Sequence, residues 1–210
     1  MQTLIQDGAT VLFQGDSITD AGRIREDKFN LGAGYAMMAA AWFQMCYPEK
    51  RVTFLNRGIG GDLSVDLTRR WDRDCLALRP DWVSILVGIN DVWRRYTESR
   101  LTTVETYEQN YRTLLDPLRQ MGTRLILCEP FVLHTPSDRE QWREDLNPKI
   151  EVVRKLAREY DAVLVPFDEV FAQAVQRREP QFWAYDGVHP TEAGHALMAR
   201  TWLRSIHALE

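Results

Sequence analysis

Five short apolar runs rich in β-forming residues recur along the chain, and longer stretches with helical spacing separate them. The runs are 11–14, 52–55, 82–87, 124–128 and 162–165. This alternation predicts a parallel sheet covered by helices on both faces. We therefore expect one domain over 1–210, of the α/β class: a three-layer α/β/α sandwich with a five-stranded parallel sheet in a flavodoxin-like order.

The stretches between these runs predict the helices. Residues 35–47 are apolar on nearly every side, which favours a helix enclosed between the sheet and its neighbours. Within 63–78, apolar residues fall at steps of four and three, as in one buried helical stripe. The polar segment 135–148 predicts a loop with a short helix. Further helices are predicted over 104–121, 148–160, 168–177 and 191–208.

The composition restricts the class of protein. Lys and Arg number 26 against 30 Asp and Glu, a formal charge of −4, which argues against broad binding to nucleic acid. No run approaches the ~20 apolar residues that cross a membrane, and the first residues lack the pattern of a secretory signal. We therefore expect a cytoplasmic protein with no nucleic-acid or membrane partner. Cys46, Cys75 and Cys128 are predicted to be small core residues, not a disulfide framework or a zinc site.

Glycine-marked polar turns follow three of the predicted strands, and a fourth precedes the last predicted helix. The turns are residues 15–17, 56–64, 88–93 and 185–195. In an open α/β sheet, ligands bind beyond the carboxyl ends of the strands, so we expect these turns to meet at one rim. Each turn alone has a structural explanation, such as a tight turn or a helix cap. Only their combination indicates a reaction site.

The polar groups in these turns include all those that acyl transfer uses. Ser17 is the candidate nucleophile and His189 the base that removes its proton, while Asp186 accepts a hydrogen bond from the second ring nitrogen. The backbone N–H groups of Ser17 and Gly61 and the side-chain amide of Asn90 are candidate donors to an oxyanion.

Other polar residues in or near the turns have structural interpretations. Asp16 and Asp91 are predicted to brace turns, and His134, His195 and His207 to be structural or surface residues. The glycines at 58–61 match neither phosphate-binding loop pattern, which argues against a nucleotide site. A phosphate-ester hydrolase is disfavoured because the sequence shows no cluster of carboxylates for a metal.

The four turns resemble the sequence blocks of the SGNH hydrolases, the lipase and esterase family also named for its GDSL motif. The blocks read GDSIT at 15–19, GIGGD at 58–62, GIND at 88–91 and DGVHP at 186–190. The resemblance implies Ser17, Asp186 and His189 as catalytic residues, with Ser17, Gly61 and Asn90 as the oxyanion hole. It also implies the flavodoxin-like sandwich, and neither a metal nor a cofactor.

One branch of that family is similar over longer segments. The segments DSITDAGR, GAGYA, RPDWVSILVGINDVWR and VHPTEAGH resemble intracellular bacterial acetyl esterases that act on acetylated xylo-oligosaccharides. The chain departs from this branch at Tyr185, where Trp is expected, and at Gly187, where a larger residue is usual. The resemblance implies a serine esterase that hydrolyses acetyl O-esters of soluble carbohydrates through an acyl-enzyme.

Aromatic residues near the predicted rim would contact such a substrate. They are Trp93, Tyr96, Phe131, Trp142, Trp183 and Tyr185, of which Trp93 and Tyr185 are the candidate substrate-binding residues. Two other functions stay open: a thioesterase or lysophospholipase of the same family, and a carbohydrate-binding protein without turnover. The expected partner is a small-molecule ester, and the sequence leaves homo-oligomerisation open.

Overall fold

The computed structural model describes residues 2–210, in which the strands form one parallel sheet. The strand bounds are β1 Thr10–Gly15, β2 Thr53–Asn56, β3 Trp82–Leu86, β4 Arg124–Cys128 and β5 Val163–Val165. The strand order is β2-β1-β3-β4-β5, and every pairing is parallel. The strands differ from the predicted runs by at most one residue at either end, and with a helical layer on each face they confirm the three-layer α/β/α architecture.

The longer helices form a layer on each face of the sheet. One layer holds α2 (Tyr35–Cys46), α7 (Phe167–Ala174) and α9 (Glu192–Ser205). The other holds α3 (Ser64–Asp74), α5 (Val104–Gln120) and α6 (Arg143–Glu159). The remaining helices lie in the connections, and they are α1 (Ser17–Asp20), α4 (Ile89–Glu98) and α8 (Pro180–Trp183).

Alternate side chains of β1 pack into the two layers, as the pleat of a strand requires. Phe13 belongs to the core beneath α2 and α9, whereas Leu12 belongs to the core beneath α3 and α5. The ring centroid of Phe13 lies 5.0 Å from that of Trp202 in α9. The Trp202 indole N–H donates to the Ser84 hydroxyl of β3 at 3.0 Å. These contacts fix α9, and with it the loop that precedes α9, over the centre of the sheet.

The helix predicted over 148–160 begins five residues earlier, at Arg143. Leu146 is fully buried and continues the apolar stripe of Ile150 and Val153 towards the N-terminus. Burial of this stripe outweighs the backbone donor that Pro148 removes inside α6. The predicted short helix of this segment is a 3-10 helix over Ser137–Trp142.

The helix over 35–47 is present, but the prediction that its neighbours enclose it on nearly every side is wrong. Met45 is 66% exposed and Trp42 is 36% exposed, and Cys46 is exposed as well. Because α2 lies on the outside of its layer, only the side towards β1 and α9 is covered. The prediction of a core position is therefore also wrong for Cys46, whereas Cys75 and Cys128 are buried.

Two further segments differ from the prediction. The stripe over 63–78 divides, because α3 ends at Asp74 and a separate 3-10 helix covers Leu76–Leu78. The turn at 88–93 is the start of α4, so Asn90 and Asp91 lie in the first turn of a helix that the periodicity did not reveal. Among residues 2–210, no helix has the length and the apolar character that crossing a membrane requires.

Candidate active site

The predicted polar turns leave the sheet from three adjacent strands. Ser17 follows β1, Gly61 lies in the turn after β2, and Asn90 lies in α4 just after β3. Because β2, β1 and β3 are neighbours and parallel, their carboxyl ends meet at one edge. Asp186 and His189 reach the same edge from the loop between α8 and α9.

The turn after β1 holds Ser17 at the start of a short helix. Asp16 caps α1, since its Oδ1 accepts the N–H of Ile18 at 3.0 Å. A Cβ on Gly15 would lie 2.2 Å from the carbonyl oxygen of Leu86, so only glycine allows β1 and β3 to approach here. As the first residue of α1, Ser17 has a backbone N–H without a partner inside the helix.

Ser17, His189 and Asp186 form a continuous chain of hydrogen bonds. Ser17 Oγ lies 3.0 Å from His189 Nε2, and His189 Nδ1 lies 2.8 Å from Asp186 Oδ2. The other carboxylate oxygen of Asp186 accepts the backbone N–H groups of Val188 at 3.0 Å and of His189 at 2.8 Å. The carboxylate therefore orients both the loop and the imidazole ring.

Gly187 allows this loop to pack against the segment after β4. Its φ is +84°, and a Cβ there would lie 2.4 Å from the carbonyl oxygens of Leu133 and Thr135. The N–H of Leu133 donates to the Gly187 carbonyl at 2.8 Å. The glycine at 187, where the similar acetyl esterases usually have a larger residue, thus has a local explanation, because a larger residue would force the two segments apart.

The charged forms of Asp186 and His189 stabilise each other. Burial alone would raise the pKa of Asp186, but hydrogen bonds from the His189 ring and from the His189 and Val188 amides lower it well below its usual range. The hydrogen bond to Asp186 raises the pKa of His189 above its ordinary value of 6.5. A base of this kind is neutral only above its pKa, and Asp186 stabilises the imidazolium that forms when it takes a proton.

Asp16 directly precedes Ser17 in the chain and carries a further carboxyl group of this region. It is fully buried, and burial raises its pKa to about 7. Its Oδ2 has no hydrogen-bond partner among the described residues. The interpretation of Asp16 as a turn-bracing residue agrees with its cap on α1.

Gly61 and Asn90, two of the three candidate oxyanion donors, lie on segments that are hydrogen-bonded to each other. Gly61 has φ of +86° in a turn closed by the Asp62 N–H, which donates to the Ile59 carbonyl at 3.2 Å. One Asn90 Nδ2–H group donates to the Asp62 carbonyl at 3.1 Å, which leaves the second N–H of that amide for a ligand. Asp91 accepts the Ser64 backbone N–H at 2.9 Å and its hydroxyl at 2.7 Å, and so ties α4 to the start of α3.

The aromatic residues divide into buried and accessible ones. Phe131 and Trp142 are buried core residues, so the prediction that they line the rim is wrong. The Trp93 ring centroid lies 5.9 Å from that of His189 and 5.4 Å from that of Trp142. Tyr185 is 62% exposed, and its hydroxyl donates to Glu192 at 2.9 Å.

Tyr96 and Trp183 both use their polar atoms in hydrogen bonds within the protein. Tyr96 stacks on Trp142, with 5.6 Å between ring centroids, and its hydroxyl donates to the Gln141 carbonyl at 2.9 Å. The Trp183 indole N–H donates to the Arg178 carbonyl at 3.2 Å. Both polar tips are therefore already bonded to neighbouring backbone.

Sequence reasoning did not single out Arg139. Its guanidinium lies 3.9 Å from the centroid of Trp142 and 4.9 Å from that of Trp93. It also donates a long hydrogen bond of 3.4 Å to the Asp186 carbonyl. An arginine in the polar segment 135–148 carries no distinguishing sequence signal, so only the tertiary contacts show that it lies beside Trp93 and Asp186.

The remaining histidines lie outside this hydrogen-bonded chain. His195 Nδ1 accepts the Tyr35 N–H at 3.1 Å, and burial lowers the pKa of His195 to about 4. His134 and His207 are exposed. In the part of the chain that the structure describes, no group of three or more His, Cys, Asp or Glu side chains is arranged to hold a metal ion.

Comparisons with known proteins identify the family and the fold of the chain. The model of the GDSL-like lipase/acylhydrolase family matches residues 13–197. An acetylxylan esterase from Geobacillus stearothermophilus is 36% identical over 96% of this chain and 95% of its own length. A GDSL-like lipase from Parabacteroides merdae superposes with a TM-score of 0.94 at 36% identity, over 98% of each chain. An α/β hydrolase from the metagenome of Lake Arreo superposes with a TM-score of 0.93 at 30% identity, over 100% of each chain.

Proposed function

The chain belongs to the GDSL-like lipase/acylhydrolase family and is a carboxylic ester hydrolase, and on that premise we propose that it removes acetyl groups from O-acetylated carbohydrates through an acyl-enzyme on Ser17. The observation that carries the proposal is the unbroken hydrogen-bonded chain from Ser17 Oγ through His189 to Asp186. It supplies a nucleophile, a base and an orienting carboxylate in one line.

In the first half-reaction, Ser17 Oγ attacks the acetyl carbonyl carbon while His189 Nε2 takes the hydroxyl proton. The carbonyl oxygen becomes an oxyanion, which accepts hydrogen bonds from the N–H groups of Ser17 and Gly61 and from the free N–H of Asn90. The bond from the carbonyl carbon to the sugar oxygen then breaks. His189 returns its proton to that oxygen, so the sugar leaves as an alcohol and the acetyl group stays on Ser17.

In the second half-reaction, water takes the place of the sugar alcohol. His189 Nε2 accepts a proton from the water, whose oxygen attacks the acetyl carbonyl carbon of the acyl-enzyme. The attack gives a tetrahedral intermediate. Its collapse breaks the bond from the carbonyl carbon to Ser17 Oγ, and Ser17 Oγ regains its proton from His189. Acetic acid leaves and ionises to acetate in solution, and Asp186 keeps the same hydrogen bond to Nδ1 throughout.

Two observations favour a carbohydrate ester. The acetylxylan esterase is similar to this chain over nearly its whole length. The surface around Ser17 is polar: a depression of about 280 Å³ there is lined by Ser17, Asp20, Gly22, Arg23, Arg25 and Gly60. Side chains of this kind suit hydroxyl groups better than an alkyl chain.

A substrate panel tests the proposal. Acetate release is measured from acetylated xylo-oligosaccharides, acetylated monosaccharides and acetyl-CoA, and fatty-acid release is measured from a lysophospholipid. We expect the highest kcat/KM on an acetylated saccharide, and a lower value on p-nitrophenyl octanoate than on p-nitrophenyl acetate. Preference for the thioester or the lysophospholipid would overturn the carbohydrate assignment and favour the other esterase activities of the family. Binding of the saccharides without acetate release would overturn catalysis on them.

A further inference from the structure

Two charged side chains connect the segment that carries Ser17 to the glycine turn after β2. Asp20 Oδ2 accepts the backbone N–H of Gly60 at 3.0 Å, and Arg23 Nε donates to the carbonyl of Gly58 at 2.9 Å. Both side chains are largely buried, with Asp20 8% and Arg23 9% exposed. Buried charges are costly unless they are hydrogen-bonded, so these two bonds are not incidental surface contacts.

The same segments are also in close backbone contact. A Cβ on Gly58 would lie 2.4 Å from the backbone nitrogen of Asp20. Arg25 donates to the same oxygen of Asp20 at 2.8 Å, which holds this carboxylate in place from the solvent side. The two hydrogen bonds and the glycine contact thus connect α1 and the glycine turn without an intervening element.

The candidate oxyanion donor of this turn, the Gly61 N–H, belongs to the peptide group that joins Gly60 to Gly61. The turn runs from Ile59 to Asp62, and Gly61 in its third position has φ of +86°. A positive φ at that position alone is the mark of a type II turn. Rotation of the central peptide, as in a type I turn, would point the Gly61 N–H away and present the Gly60 carbonyl in its place. Two successive glycines oppose such a rotation only weakly.

We propose that Asp20 and Arg23 are positioning residues that hold the glycine turn in its type II conformation, in which the Gly61 N–H faces the oxyanion. Asp20 lies three residues after Ser17 on the same short helix. One rigid segment therefore carries the Ser17 N–H and, through Asp20, sets the position of the Gly61 N–H. The inference rests on the proposed function, in which both groups stabilise the oxyanion.

The test compares Asp20→Ala with Asp20→Asn on p-nitrophenyl acetate. Losing the whole side chain of Asp20 is expected to lower kcat about 10- to 100-fold with KM within about twofold, somewhat less than outright removal of an oxyanion donor. Asn keeps an oxygen that accepts the Gly60 N–H, so Asp20→Asn is expected to recover most of kcat. Asp81→Ala is the matched control, because Asp81 accepts the Thr10 N–H at 2.7 Å at the opposite end of β1.

A second readout separates positioning from a general loss of structure. The Ki of a trifluoromethyl ketone, which forms a tetrahedral adduct with the serine, should rise in proportion to the loss of kcat/KM, whereas KM should not change. If Asp20→Ala does not fold, Arg23→Met removes the other bond and should give the same pattern. Wild-type kcat in a folded Asp20→Ala or Arg23→Met protein would overturn the inference, and so would equal losses in Asp81→Ala.

Parallel measurements on Ser17→Ala and Asn90→Ala keep the two proposals distinguishable. If both lose activity while Asp20→Ala does not, the positioning role fails and the proposed function stands. If Ser17→Ala keeps its activity, the proposed function fails first and the positioning role with it.

Discussion

Ser17 Oγ lies 3.0 Å from His189 Nε2 although 172 positions separate the two residues along the chain. No local sequence signal produces this contact. It depends on β1 lying in the interior of the sheet and on α9 packing across it, where the Trp202 ring contacts Phe13. The hydroxyl and the imidazole therefore meet because the core sets the distance between their segments.

Replacing Ser17 by Ala should abolish esterase activity, with a loss of at least ~10³-fold in kcat, because no other group supplies the attacking oxygen. Labelling by a fluorophosphonate should disappear as well. Ser205→Ala, on the distant end of α9, is the control and should retain full activity. Circular dichroism checks that both variants fold, and undiminished labelling of Ser17→Ala would contradict the assignment of the nucleophile.

The pH dependence of kcat/KM should report His189. The base is active when neutral, and Asp186 raises its pKa above 6.5, so activity should fall as the pH decreases through that raised value. In Asp186→Asn the carboxylate charge is absent, so the acidic limb should move to lower pH. The plateau should also drop by ~10⁴-fold, because the tautomer is no longer enforced. An acidic limb at the wild-type position in this variant would contradict the role of Asp186.

Asn90→Ala should lower kcat by ~10²–10³-fold with little change in KM, because the amide acts on the oxyanion rather than on the bound ester. Asn147→Ala is a matched control, because Asn147 is exposed on α6 and has no part in the bonds around Asn90. A large rise in KM for Asn90→Ala with unchanged kcat would indicate ground-state binding instead.

Tyr185→Ala should raise KM several-fold for an acetylated xylo-oligosaccharide and leave p-nitrophenyl acetate nearly unaffected. The ring is 62% exposed in the loop that also carries His189, so under the proposed function we expect it to stack on a sugar of the substrate. Met121→Ala removes an exposed apolar side chain at the other end of the sheet and should alter neither substrate. Equal effects of Tyr185→Ala on both esters would argue against a saccharide contact.

His195 should make the folded state sensitive to acid. Burial lowers its pKa to about 4, whereas in the unfolded chain it titrates near 6.5. Between these values only the unfolded chain binds the proton, so the free energy of unfolding falls as the pH decreases. The loss amounts to about 3 kcal/mol when complete. Urea unfolding at several pH values should show a shallower dependence for His195→Gln, while His207→Gln, an exposed control, should keep the wild-type slope.

The sequence was most informative where burial and backbone conformation leave few choices. The strands are apolar runs because both faces of a parallel sheet are covered, and their bounds were accordingly predictable. Gly15 and Gly187 stand where the backbone of another segment approaches too closely for a Cβ, so they marked two of the reactive turns. The family blocks placed Ser17, Asn90 and His189 in those turns.

What the sequence did not reveal depends on tertiary contacts. The exposure of Met45 and Trp42 depends on which side of α2 meets the sheet, and a helix with apolar residues all round does not specify that side. The start of α6 depends on burial of Leu146 ahead of a proline. Asp20 and Arg23 look like ordinary loop charges, because the groups they bond are the backbone atoms of distant glycines.

The position of β1 within the sheet has a consequence for synthesis on the ribosome. This strand is made before all the others, yet its neighbours on either side are β2 and β3, which leave the exit tunnel later. The nascent chain must therefore carry an apolar strand with one edge unpaired until Trp82–Leu86 emerges. The loop that carries the imidazole follows later still, so the hydrogen-bonded chain from Ser17 to Asp186 can form only after all five strands have emerged.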